Sequence, residues 1–265
     1  MSESLVELAE SANRTISGEA PHIDTPPKTS VSLIRGVLNT ATEEWETSAT
    51  VRELTGEDEE ALAALDAEQE LTYNDYIGQL LTRAVVSVGS QTVNNNPALI
   101  DDLIIGDRDL LFLGVIRATY GRYRELRMTC GNCGESNDVK IDLDEDFKVH
   151  NDGKDLTKPI SVVLRDGSTM SFNLPTAGDS RLALKRAKTV AEQNTQIVAR
   201  CLIGSMGKEE REAWAKKLGV ADRKNIVKAL TSAQPGPRMG EVETQCAHCE
   251  KELTVVLDWV SLLFG

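Results

Sequence analysis

The residues of this 265-residue chain best suited to chemistry are its cysteines, four of which fall into two Cys-x-x-Cys pairs, Cys130-Gly131-Asn132-Cys133-Gly134 and Cys246-Ala247-His248-Cys249. Two thiolates on one tight turn offer half of a tetrahedral shell, and two such turns complete it around a single Zn2+ at Zn–S distances of about 2.3 Å. Gly131 and Gly134 let the first turn close with its amides facing the sulfurs. Four thiolates leave no coordination position for water or substrate. The ion this spacing predicts is therefore structural, one per chain, with Cys130, Cys133, Cys246 and Cys249 as its ligands. A redox dithiol would open a helix within a βαβ unit, and no helical pattern follows either pair. Two half-sites meeting across a dimer are the other arrangement the spacing allows.

Strand-like runs precede the pairs, at residues 126–129 and 241–245, and others follow, which is the pattern of a zinc ribbon. The unusual feature is the separation, since 112 residues lie between the knuckles where simple ribbons carry fewer than about 20. The intervening chain reads as an insertion closed by the metal, a crosslink that removes unfolded-state entropy.

Other chemistry has little to stand on. Cys201 lies on an apolar helical face and reads as core, and His248 is a bystander beside a complete shell. His22 and His150 have no partner signature, and 204–207 lacks the Lys-Ser or Lys-Thr of a phosphate loop. We expect no catalytic residues, no bound organic cofactor and no enzymatic activity. Arg117, Arg122, Arg124 and Arg127, interleaved with Tyr120 and Tyr123, read as a helix end or a protein interface before they read as a nucleic-acid surface.

Around these residues the sequence predicts an α+β fold. Val31, Leu33, Ile34, Val37 and Leu38 are spaced as on a short amphipathic helix, and 48–54 reads as a strand. Thr55 with Asp58, and Thr72 with Asp75, have the spacing of helix N-caps with an acidic third residue. Asn96-Pro97 and Asp107 open further helices. Residues 45–127 thus read as a helical-bundle-like domain behind an arm and short helix of 1–44. From 128 the period shifts to 2, with Val139, Ile141 and Leu143 alternating. Residues 160–164 and 170–174 flank the hairpin turn Arg165-Asp166-Gly167-Ser168. One helix is predicted over 179–202 and two shorter ones over 208–217 and 221–232, before Pro235-Gly236-Pro237. The part from 128 to 265 reads as zinc-ribbon-like, with the hairpin and helices inserted at about 156–235.

The formal net charge is −13, and residues 1–70 hold 16 acidic against 4 basic side chains, leaving the rest nearly neutral. Phosphate backbones are drawn to clustered cations, so this balance disfavours nucleic acid. No run approaches the ~18 apolar residues of a membrane span. The first ten residues are acidic where a secretion signal is basic and then apolar. We expect the chain to stay where it is made, without a membrane, in a compartment that keeps thiols reduced. The polar arm, broken by Pro21, Pro26 and Pro27, is expected to order on a neighbouring subunit, with the face around residues 117–127 as a complementary target.

Residues 51–62 carry Leu54-Thr55-Gly56-Glu57-Asp58, and 172–184 carry Leu174-Pro175-Thr176-Ala177-Gly178-Asp179, each leading a strand into an acid-capped helix. With these segments, the paired cysteines and the order of elements from about residue 45 to 265, the chain resembles the baseplate hub and tail-assembly proteins of contractile-tailed bacteriophages of the T-even type. The resemblance implies a non-enzymatic virion or assembly protein. Its partners would be other tail and baseplate proteins and copies of itself, and it would reside in the virion tail after assembly in the host cytoplasm. The apolar C-terminal residues, among them Leu257, Trp259, Leu262 and Phe264, suit an assembly subunit. The residues alone also admit a zinc-ribbon nucleic-acid-binding or transcription accessory protein.

Overall fold

The computed structural model describes residues 28–68, 72–151, 153, 155–237, 242–255 and 262–263. The arm through residue 27, with His22, and the C-terminal residues 256–261 and 264–265 lie outside them.

Strands β1 (Ser30–Asn39), β2 (Glu44–Val51), β3 (Val85–Val88) and β4 (Gln91–Thr92) form an antiparallel sheet in that order. The helix expected over 31–39 is therefore a strand. Its helix-like spacing comes from a bulge, for the register with β2 shifts between Ser32 and Val37 and breaks the two-residue alternation. Gly36 permits that bulge, having a φ of +71° and lying so close to β2 that a Cβ would stand 1.9 Å from the Glu46 carbonyl oxygen. The bulged amides point at the fully buried carboxylate of Asp107, which accepts from Ile34 N–H at 2.6 Å, Gly36 N–H at 2.7 Å and Arg35 N–H at 3.2 Å. Burial raises the Asp107 pKa, and the three amides and the Arg35 guanidinium oppose that rise.

Helices α1 (Gly56–Glu68), α2 (Tyr73–Ala84), α3 (Leu99–Asp102) and α4 (Ile105–Tyr120) accompany this sheet. The Thr55 side chain accepts from Asp58 N–H while the Asp58 carboxylate accepts from Thr55 N–H at 3.0 Å, and Thr72 with Asp75 forms the same capping box. The N-terminal part is thus mixed sheet and helix, not a helical bundle. The strand expected over 48–54 overlaps β2, whereas β1 and β3 escape a periodicity reading because β1 is bulged and the four residues of β3 follow α2 with no turn between them.

The rest of the chain contains β5 (Tyr123–Thr129), β6 (Ser136–Asp142), β7 (Val149–His150), β8 (Ile160–Val163), β9 (Thr169–Phe172), α5 (Ala177–Arg186), α6 (Val190–Cys201), α7 (Lys208–Lys217), α8 (Val220–Ser232), β10 (Gly236–Pro237), β11 (Val242–Gln245) and β12 (Glu252–Val255). The hairpin at β8–β9 lies where its turn residues predict. The single helix expected over 179–202 is two helices, because Thr189 and Glu192 make a capping box that starts α6 afresh inside a continuous apolar pattern.

Among the described residues two apolar cores result. The first joins Val51, Leu81, Phe112, Ile116 and Ile141 to Cys130, Cys246, Leu253 and Leu262, and the second joins Val162, Phe172, Val198, Cys201, Ile226 and Leu230. Helix α5 spans the junction, with Arg181 ion-paired to Asp101 and Asp75, and Ala177 N–H donating to the Leu103 carbonyl at 2.8 Å. Among the described residues no helix is long and apolar enough to cross a membrane.

Candidate metal centre

Each cysteine pair sits at the tip of its own antiparallel hairpin. In the first, Thr129 pairs with Ser136, Cys130 N–H donates to the Glu135 carbonyl at 2.8 Å, and Gly134 N–H donates to the Cys130 carbonyl at 2.8 Å. In the second, Gln245 pairs with Glu252, Cys246 N–H donates to the Lys251 carbonyl at 2.9 Å, and Glu250 N–H donates to the Cys246 carbonyl at 2.9 Å. The two turns are built alike. Gly134 (φ +75°) and Glu250 (φ +58°) take the same left-handed position just past the second cysteine, so the second turn bears the strain of a residue with a Cβ there.

The fold brings all four predicted ligands together, with their sulfurs within 4.8 Å of one another. The Cys133 and Cys246 Sγ atoms are 3.7 Å apart, and those of Cys130 and Cys249 are 3.9 Å apart. Sulfurs on a tetrahedron with bonds of about 2.3 Å stand roughly 3.8 Å from each other, so the spacing fits one ion and is far too long for a disulfide. Cys130 and Cys246 are buried, Cys249 is half-buried and Cys133 is exposed.

The surroundings favour thiolate at some positions and resist it at others. The amides of Cys133 and Asn132 lower the Cys130 pKa, and the amides of His248 and Cys249, with Asn137, lower that of Cys246 to about 6. At Cys133 the Glu135 amide pulls downward, but partial desolvation of the sulfur and the three neighbouring thiols push the value up to about 12. Four sulfurs this close cannot all carry charge without a cation among them.

Three residues that the spacing argument missed bind the hairpins together. Asn137, buried on β6, accepts from Ala247 N–H at 2.9 Å. Lys251 Nζ donates to Asn132 Oδ1 at 2.9 Å, and Asn132 Nδ2 reaches Cys249 Sγ at 3.5 Å. Asn137 had a readable signal, since it falls on the inward side of the strand that Val139 and Ile141 share. Cys201 is remote from the sulfurs, buried in the second core, where desolvation raises its pKa. The His248 ring lies 3.2 Å from the Ser136 carbonyl oxygen and is not one of the clustered ligand atoms.

The basic cluster is engaged within the chain. Arg117 pairs with Asp144 at 2.7 Å, Arg122 with Asp142 at 2.6 Å and Arg127 with Asp138 at 2.9 Å, while Arg124 Nε donates to the Leu262 carbonyl at 3.0 Å and its guanidinium lies over the Tyr120 ring. Acidic neighbours thus already answer three of the four charges that made this face a candidate for nucleic acid or for the acidic arm.

A family model described as T4 bacteriophage base plate protein matches residues 38–265. No curated protein and no solved structure matches the chain.

Proposed function

The chain belongs to the T4 bacteriophage base plate protein family, and from that premise we propose that it is a structural or assembly component of the hub region of a contractile-tail baseplate, acting through protein contacts around one structural Zn2+. The observation that carries this reading is the extent of the family match, which takes in both cysteine pairs. Membership supports a structural role in the virion tail, in contact with other tail proteins. We further propose that contacts with copies of itself contribute, that assembly takes place in the host cytoplasm, and that nucleic acid is not a partner. The work is done by surfaces and not by turnover, for the four thiolates close the metal shell. In this reading Cys130, Cys133, Cys246 and Cys249 form a zinc-ribbon-like centre, and the insertion at about 156–235 is a separately packed unit with its own core.

Zinc suits the donor set because soft thiolates in a tetrahedron select Zn or iron, and a structural role needs no redox change. The biological test is a phage lacking this gene. We expect baseplate assembly to stall and the tagged chain, supplied in trans, to restore it and to label the centre of the baseplate in electron micrographs. Normal baseplates in its absence would overturn the structural role, and a label confined to the periphery would overturn the hub assignment.

A further inference from the structure

Among the described residues the two hairpins share no strand pairing, each being a separate two-stranded sheet. What docks one on the other, besides the sulfurs and the first core, is a set of side-chain hydrogen bonds between residues more than a hundred positions apart. Asn137 is the buried member. A buried amide is costly unless it is bonded, and this one is used at both ends: Nδ2 donates to the Glu135 carbonyl at 3.1 Å in the first hairpin, and Oδ1 accepts from Ala247 N–H at 2.9 Å in the second. Ala247 directly follows Cys246, so this bond fixes where the Cys246 sulfur stands. His248 Nε2 toward the Ser136 carbonyl and Lys251 Nζ on Asn132 Oδ1 add two exposed contacts across the same seam.

We propose that Asn137, aided by His248 and Lys251, is a positioning residue that seats the second cysteine turn on the first, so that the metal meets a site already assembled by protein contacts. This rests on the zinc reading and extends it from the ligands to the residues that aim them. A preassembled shell loses little freedom when the ion enters, and outer partners of this kind are worth about 10–100-fold in metal affinity.

The test uses the full chain, with Zn2+ affinity measured by competition against a chromophoric chelator and coordination read from the visible spectrum of bound Co2+. Asn137→Ala should keep the tetrahedral thiolate spectrum at one ion per chain but weaken Zn2+ binding about 10–100-fold. Phe172→Ala, which opens the second core and alters no residue of either cysteine hairpin, should lower the melting temperature and leave affinity within about twofold. Equal affinity for Asn137→Ala and the unaltered chain, or equal loss in Phe172→Ala, would overturn the inference. Should Asn137→Ala not fold, the double variant His248→Ala/Lys251→Met alters only exposed side chains and should weaken binding at least threefold, and no change there would overturn it too. Failure of the unaltered chain to take up an ion would defeat the zinc reading itself, and this inference with it.

Discussion

The second core of the molecule gathers residues 162–230, a continuous stretch whose hairpin turn and helix caps are written locally, whereas the first core joins residues as distant as Leu33, Cys130, Cys246 and Leu262. Local contacts cost little loop entropy, while non-local ones must offset the closing of long loops. The first core accordingly contains the devices that tie distant segments together: the Asp107 carboxylate on the β1 bulge, Asn137 on the second cysteine turn and the sulfur cluster. The second is tied over shorter separations, as where Arg165 N–H donates to the Asp222 carboxylate at 3.1 Å. Among the described residues the links over more than seventy positions named here thus lie in the first core.

The contrast can be broken by choosing residues that belong to one core alone. The largest effect is expected from Asp107→Ala, which strands three amides and should cost about 3–5 kcal/mol. Hydrogen exchange should quicken at residues 34–36 and through the first core while residues 160–232 keep their protection. Phe172→Ala should do the reverse, removing about 3–4 kcal/mol from the second core and leaving the exchange of β5 and β6 unchanged. Uniform loss of protection in either variant would mean that the cores unfold as one.

A smaller effect sharpens the picture at the edge of the first core. The Arg52 guanidinium, with Thr55 adding to it and burial opposing, holds the Asp58 carboxyl well below the ordinary carboxylate range. A depressed folded pKa contributes stability above the unfolded value near 4, and that stability is lost as pH falls toward the folded value. Asp58→Ala should therefore cost about 1–2 kcal/mol at pH 7, and its denaturation midpoint should vary less with pH between 5 and 2 than that of the unaltered chain. The smallest expected change is Thr189→Ala, which removes the cap that divides α5 from α6. It should cost about 1 kcal/mol, read as a lower melting temperature confined to the second core.

How legible the fold is in sequence follows the same division. The β8–β9 turn, the two helices after residue 207 and the caps at Thr55 and Thr72 are local signals, and the elements stand where those signals place them. The helix expected over 31–39 fails because a bulge imitates helical spacing, and what stabilises the bulge is an aspartate more than seventy residues away. The continuous helix over 179–202 fails for a readable reason, Thr189 three residues before Glu192. At the candidate metal centre the clustering of the four cysteines is legible because their spacing is distinctive. Asn132 and Lys251 are not, since their roles exist only once the second hairpin is docked, and Asn137 is legible only as an inward-facing residue and not by its partner.

The decisive experiment is metal analysis of the full chain, purified without chelators, followed by hydrogen exchange before and after the ion is removed. One zinc per chain is expected, and its removal should open residues 123–142 and 242–255 to exchange while 160–232 stay protected. A chain free of metal, a chain whose stoichiometric ion is iron, or exchange that does not change when zinc is withdrawn would contradict a structural zinc closing the first core.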